Sequence, residues 1–319
     1  MSAEIGHTKA SSVRTGWKAR NRTFVKIAQN YQLYLLFFPT LLYFVIFQYG
    51  PMYGLQIAFK NFSPSKGIWN SPWVGLQHFE RFFDSAQFII TLKNTLLISL
   101  YELVLFPIPV LLALLMNQLL SQKYKRVVQT IVYAPHFISM VVLVGMLYLF
   151  LNPRNGLINQ GLVALGLDTV HFMADAVWFK SIFVWSNVWQ NAGWGTIIYL
   201  AALTSINPEL HEAAIMDGAS KLQRILHIDI PGIMPTVMIL LILNMGSFMT
   251  VGFEKAYLMQ NPMNAQASEI IQTYVYKTGL VGAQFGYSAA IGLFNNVTNF
   301  IILIAMNSLA KRLKQASLW

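Results

Sequence analysis

The sequence contains no cysteine. Disulfides, thiolate metal sites and thiol nucleophiles are thereby excluded. Charge is also scarce: 11% of the 319 residues are Asp, Glu, Lys or Arg, against roughly 25% in ordinary soluble domains. No Gly-x-x-x-x-Gly-Lys-Ser/Thr run occurs, so ATP hydrolysis through a P-loop is excluded. There is no His-x-x-x-His pair and no Gly-x-Ser-x-Gly elbow, and the six histidines (His7, His78, His136, His171, His211, His227) are scattered. Neither a metal site nor a catalytic residue is expected. His136, which follows Pro135, is expected to pack or to serve a helix end.

What is abundant is apolar sequence, 55% of the chain. Its runs far exceed the roughly 9–11 residues of a barrel strand. Backbone groups in lipid must be satisfied within each segment, so the expected fold class is all-α, a polytopic membrane protein with six transmembrane helices. Hydropathy places the spans near 31–53, 90–117, 127–151, 178–204, 236–256 and 285–309. Pro39, Pro107, Pro109 and Pro135 fall inside spans and predict kinks.

The formal charge of +10 is unevenly distributed. The arm at 1–30, the 118–126 turn, the 205–235 loop and the tail at 310–319 hold 14 of the 22 Lys and Arg, while the alternate loops hold five: Lys60, Lys66, Arg81, Arg154 and Lys277. Basic loops stay cytoplasmic, so both termini and the 205–235 loop are expected inside, with the arm facing anionic lipid and not nucleic acid. The first apolar segment lacks a small-residue cleavage site and reads as a retained span.

One polar interruption stands out. Asn207-Pro208-Glu209 reads as an N-cap, a first-turn proline and an acid matched to the helix dipole. Gly218 can end that helix in the left-handed conformation. Ser220 can cap a second helix carrying Leu222, Ile225 and Leu226, with Pro231 closing it. The result is two short helices joined by a glycine elbow between the fourth and fifth spans.

Within the spans Glu102 demands an explanation: it is either a proton-coupling carboxylate or a buried partner for a helix terminus. Lys93, Lys180, Glu254 and Lys255 lie near span ends, where side chains snorkel at little cost. In the fourth span Asn187, Gln190, Asn191 and Trp194 share one helical face. Asn244, Gly246 and Ser247 follow in the fifth, and Asn295, Asn296 and Asn299 in the sixth. Amides beside tryptophans suit a sugar site, because hydroxyls need donors and acceptors and pyranose faces stack on aromatic planes. The competing reading is interhelical hydrogen bonding, which fits the sixth-span asparagines at least as well.

The interruption resembles the "EAA" loop of ABC importer permeases, with Glu212-Ala213-Ala214, then Asp217-Gly218, then Ile228-Asp229-Ile230-Pro231. Together with Asn187 and its tryptophans 25 residues before Glu212, and with the Gly75-Leu76-Gln77-His78-Phe79 stretch, the chain from 31 to 319 resembles the permease of a carbohydrate ABC importer. The likeness is greatest to polysaccharide and aldouronate-type systems, alginate oligosaccharide importers among them. It implies the type I permease fold over 31–309, a coupling loop at 205–235, and alternating access driven by separate ATPase subunits that bind ATP and magnesium. This chain would itself hold no cofactor. Implied partners are a second homologous permease, two ATPases and a periplasmic or surface-anchored substrate-binding protein, in the bacterial inner membrane. By the same resemblance Glu212, Ala213, Ala214, Asp217 and Gly218 would meet the ATPase. Asn187, Asn191, Trp194, Asn244 and Ser247 would hold the sugar, although Asn191 stands where the maltose importers tend to have a small residue. That face has no Lys or Arg, so a uronate cargo would need cations from elsewhere, and neutral sugars stay open. The rival readings are an ion-coupled secondary sugar transporter using Glu102, a membrane enzyme such as a lipid-linked sugar transferase, for which the chain lacks the paired acids in an aqueous loop that metal-assisted chemistry needs, and a purely structural assembly subunit.

Overall fold

The computed structural model describes residues 29–319; the basic arm expected at 1–30 falls almost wholly outside them. The chain separates after Gln56 into two units. Eight helices dominate the described chain. They are α1 (Tyr31–Phe59), α2 (Ala86–Asn117), α3 (Gln122–Phe137), α4 (Met140–Phe150), α5 (Ala176–Thr204), α6 (Pro208–Met216), α7 (Lys221–Met245) and α8 (Phe285–Arg312). Among the described residues the only β pairing is an isolated bridge between Lys60 and Trp73.

Four of these helices, α1, α2, α7 and α8, are long and apolar enough to cross a membrane, and α3 with α4 makes a fifth if the bent pair is one span. The remaining expected span coincides with α5, 29 residues long, whose amides and tryptophans dilute its apolar character. The kinks fall where proline removes an N–H. Pro107 interrupts α2 between Leu105 and Ile108. Pro135 lies in the tight turn Ala134–Phe137 that ends α3, and α4 leaves at 98° after being capped by Ser139.

The fifth span corrects the hydropathy reading. Helix α7 begins at Lys221 and ends at Met245, instead of running from 236 to 256. Pro231 does not close the second loop helix: a π turn, Ile225–Asp229, brings the Ile230 N–H back to the Ile225 carbonyl and carries the chain past the proline. After Met245 the chain turns irregularly to the short helix Phe253–Met259.

Helix α5 is the centre of the bundle. Near its start Phe179, Phe183 and Val184 pack with Ile98, Val144, Val251 and Met259. Near its end Tyr199, Leu200 and Leu203 pack with Ala113, Leu114, Met116 and Ile233. A third cluster joins Phe82, Met249, Ile271, Tyr287 and Ile291. The irregular chain after α7 lies among these helices, and their side chains satisfy its backbone. Asn299 accepts the Met249 N–H (2.6 Å) and donates to Thr250 Oγ1 (3.0 Å). Ser99 donates to the Phe248 carbonyl (2.5 Å), Thr95 accepts the Ile271 N–H (3.1 Å), and Asn94 donates to the Gln266 and Glu269 carbonyls.

Lys255 also departs from expectation. It does not snorkel: it is 1% exposed, its Nζ donates to the Phe183 carbonyl at 2.8 Å, and it sits 4.8 Å from the centre of that residue's ring. A buried ammonium costs far less when it is hydrogen-bonded and over an aromatic face.

Close helix approach has its own requirement. A Cβ on Gly193 of α5 would overlap the Val132 carbonyl of α3, whereas one on Gly161 would meet nothing within 4 Å. Gly193→Ala is therefore expected to destabilise the bundle by about 1–3 kcal/mol, read as a lower unfolding midpoint in detergent. Gly161→Ala should leave that midpoint unchanged or slightly raised.

Candidate functional site

Two places gather the polar residues singled out from sequence. The first is a cavity of about 340 Å³ between α2, α5 and α7, lined by Glu102, Asn187, Asn191 and Asn244, with Pro109, Gly195 and Tyr199 among its apolar wall. Asn187 and Asn191 are one turn apart on α5, so their amides meet: Asn191 Nδ2 donates to Asn187 Oδ1 at 2.8 Å, and Asn187 Nδ2 donates to Glu102 Oε1 at 2.9 Å. The nitrogen of Asn191 being committed, its oxygen accepts from His136 Nδ1 at 3.0 Å. The His136 ring lies flat against Trp194, with centroids 4.5 Å apart and planes 7° apart. A single hydrogen-bonded chain thus runs from α2 across α5 to the proline turn of α3.

Asn187, Asn191 and Asn244 line this cavity together. Gln190, Trp194 and Ser247 do not. Gln190 is 4% exposed and turned the other way, its Nε2 donating at 2.8 Å to the Ile138 carbonyl left free at the α3–α4 break. Trp194 stacks on His136 beside the cavity, and Ser247 is exposed and donates to the Asn244 carbonyl at 3.1 Å. Glu102 joins the cavity wall. The signal for it was there in sequence, since an acid inside a span needs a donor, and Asn187 is that donor. The interhelical reading of the amides is realised in two bonds: Asn187 to Glu102 joins α5 to α2, and His136 to Asn191 joins α3 to α5.

The second place is the elbow. Asn207 Oδ1 accepts the Glu209 N–H at 3.1 Å, and Pro208 opens α6. Gly218 takes φ +76°, with its N–H on Ile215 and the Ala219 N–H on Ala214, closing the helix end. Ser220 and Gln223 exchange side-chain and backbone hydrogen bonds in a capping box. Glu212, Ala213, Asp217 and Gly218 are exposed and Ala214 is half-buried, beside the exposed apolar side chains of Leu210, Ile215 and Met216.

A buried anchor holds this elbow. Asp229, in the π turn at the base of α7, is 1% exposed. Its Oδ1 lies 3.2 Å from His211 Nε2 on α6, and its Oδ2 accepts from Gln118 at the end of α2 at 3.4 Å. One carboxylate therefore ties α6 to α7 and α2. In the sequence Asp229 belongs to the motif's ending and His211 is one scattered histidine; 18 residues apart, they carry no local signal.

Residues 106–315 match the model of the binding-protein-dependent transport system inner membrane component family. The chain belongs to that family. Two Bacillus subtilis (strain 168) proteins are close relatives of the permease. Protein LplB is 43% identical, over 90% of this chain and 91% of the relative. The polygalacturonan/rhamnogalacturonan transport system permease protein YteP is 42% identical, over 94% of both. Among solved structures the permease superposes with a TM-score of 0.85, at 42% identity, on a chain of a bacterial ABC transporter involved in the import of the acidic polysaccharide alginate, covering 91% of this chain and 99% of that one. The agreement is as good for a chain of a bacterial alginate ABC transporter in complex with alginate pentasaccharide-bound periplasmic protein, at 41% identity and over 93% of the permease. The all-α type I permease fold is thereby established.

The anchor generates a test. His211→Ala removes the imidazole that stands 3.2 Å from the buried Asp229 carboxylate, at a cost of roughly 1–3 kcal/mol. Hydrogen exchange across Pro208–Met216 should accelerate while exchange in α8 stays as in the parent. Unchanged protection of α6 would mean that the contact does not hold the elbow.

Proposed function

We propose that the permease moves oligosaccharides across the bacterial inner membrane by alternating access, as one of two homologous permease subunits. Two ATPase subunits, which bind ATP and magnesium, drive it, and a periplasmic or surface-anchored binding protein delivers the cargo. The observation that carries this reading is the hydrogen-bonded amide cavity formed by Asn187, Asn191 and Asn244 within otherwise apolar helices. Amides and a carboxylate offer donors and acceptors suited to hydroxyls. Relatives that transport polygalacturonan/rhamnogalacturonan and import alginate support an acidic polysaccharide fragment as the cargo.

The elbow is the proposed contact with the ATPase. An exposed apolar patch at Leu210, Ile215 and Met216, beside Glu212 and Asp217, suits a protein partner better than water. The charge asymmetry supports a six-span arrangement in membrane lipid with this elbow and both termini on the cytoplasmic side. The ATPase pulls the two elbows of the permease pair together; α6, tied through Asp229 to α2 and α7, carries that movement to helices that line the cavity. The residues of this chain bind, orient and gate, and the hydrolytic chemistry is the partner's. Ion-coupled transport through Glu102 finds no support: its carboxylate is engaged by Asn187, and none of the relatives named above is described as an ion-driven carrier.

Reconstitution of the four-subunit assembly with its binding protein tests this directly. Uptake of oligosaccharide should require ATP and all four subunits. Uptake by this chain alone, driven by a proton or sodium gradient, would reverse the assignment. Gly218→Val should insert normally yet lose roughly tenfold to hundredfold in coupled uptake, because a β-branched residue cannot hold φ +76° without strain of about 1–3 kcal/mol. Replacing Asn191 with alanine should lower uptake without lowering basal ATPase turnover.

A further inference from the structure

A second cavity of about 340 Å³ lies where the first turns of α2 and α5 meet the turn Ala265–Ser268, at the end of the bundle away from the elbow. Lys93 and Lys180 line it, with Asn94 and Gln266. Lys93 is exposed there and Lys180 half-buried. Among the described residues neither has an ion-pair or hydrogen-bond partner. The nearby acids are engaged elsewhere: Asp175 accepts the Val177 N–H at 2.9 Å, and Glu269 is held by Lys277 at 2.8 Å and Thr273 at 3.0 Å. Two like charges lining one concavity without a counter-charge favour an anion between them.

The position of Lys180 says which anion. Lys180, Asn187 and Asn191 stand at i, i+7 and i+11 on α5, which is one face of the helix. Lys180 is therefore the outward continuation of the stripe that lines the amide cavity, about 10 Å along the axis from Asn187. The cavity itself contributes no cation, and Glu102 within it disfavours a carboxylate while accepting hydroxyls.

We infer that Lys93 and Lys180 form a carboxylate-binding subsite, which receives the uronate groups of an acidic oligosaccharide while its hydroxyls face Glu102 and the amides. This rests on the oligosaccharide reading above and deepens it by naming the residues that hold the cargo's carboxylates and the side from which they act. It also resolves the absence of Lys and Arg from the amide face: the cations stand two turns further out on the same helix.

The test compares initial ATP-driven uptake of an oligogalacturonate and of its carboxyl-reduced counterpart, a neutral oligogalactose, by the complete assembly in vesicles. The double variant Lys93→Gln/Lys180→Gln should lose about tenfold on the anionic sugar, the worth of a charge-assisted hydrogen bond, and nothing on the neutral one. Lys93→Arg/Lys180→Arg should retain the preference. Equal losses on both sugars, or no loss on either, would overturn the subsite. A lipid phosphate shares the carboxylate's chemistry, so the comparison is repeated in vesicles without anionic lipid. A defect that follows the lipid and not the sugar assigns the pair to headgroups and overturns the proposal. If the parent assembly takes up neither sugar, the oligosaccharide reading itself has failed. If parent and double variant carry both sugars alike, the subsite alone has failed.

Discussion

A lipid bilayer offers backbone N–H and C=O groups no water to bond with, and the structure depends on meeting that constraint. Helices satisfy themselves. The chain between the end of α7 and the start of α8 does not, because it is irregular for much of its length yet lies among α2, α5 and α8. Asn94, Ser99, Thr95 and Asn299 supply the missing partners from the helix side. Each is a polar side chain on an otherwise apolar helix, so each would look like a candidate ligand residue on composition alone. Their bonding shows where they belong. They are stitches, and removing one exposes a backbone group and not a substrate.

The same accounting separates lining residues from bracing ones around the first cavity. Gln190 is consumed by the carbonyl of Ile138 at the break between α3 and α4. Asn187 and Asn191 also make protein bonds, but theirs form a chain along the wall of an open space, ending in the His136–Trp194 stack. Such a chain holds its donors and acceptors in fixed directions. Joining helices and presenting a polar wall are one arrangement here, because the bond that fixes an amide also aims its remaining valences.

Legibility in the sequence followed the range of the interaction involved. The elbow was readable residue by residue, since Asn207-Pro208, Gly218 and the Ser220–Gln223 box act within four positions of themselves. The amphipathic face of α5 was readable from its period, but which of its amides lined a cavity was not, because Gln190 and Asn191 differ only in what stands opposite them. The end of the fifth helix was misplaced because hydropathy continues evenly through Met245 into Val251, while the actual stop is a turn held by Asn299, half a hundred residues away. Lys255 was misjudged for a related reason. Nothing near it in sequence announces the Phe183 carbonyl that lets an ammonium group be enclosed.

The π turn at Ile225–Asp229 has a geometric corollary. By keeping the backbone helical through Pro231, it leaves no joint between Lys221 at the elbow and Asn244 at the cavity, a stretch of 23 residues and about 35 Å. A rod of that length magnifies rotation: tilting it by about ten degrees at one end sweeps the other through about 6 Å, comparable to one helical turn. Within that rod the two prolines, Pro231 and Pro235, stand four residues apart and so share one side of the helix, which is where its missing N–H groups fall.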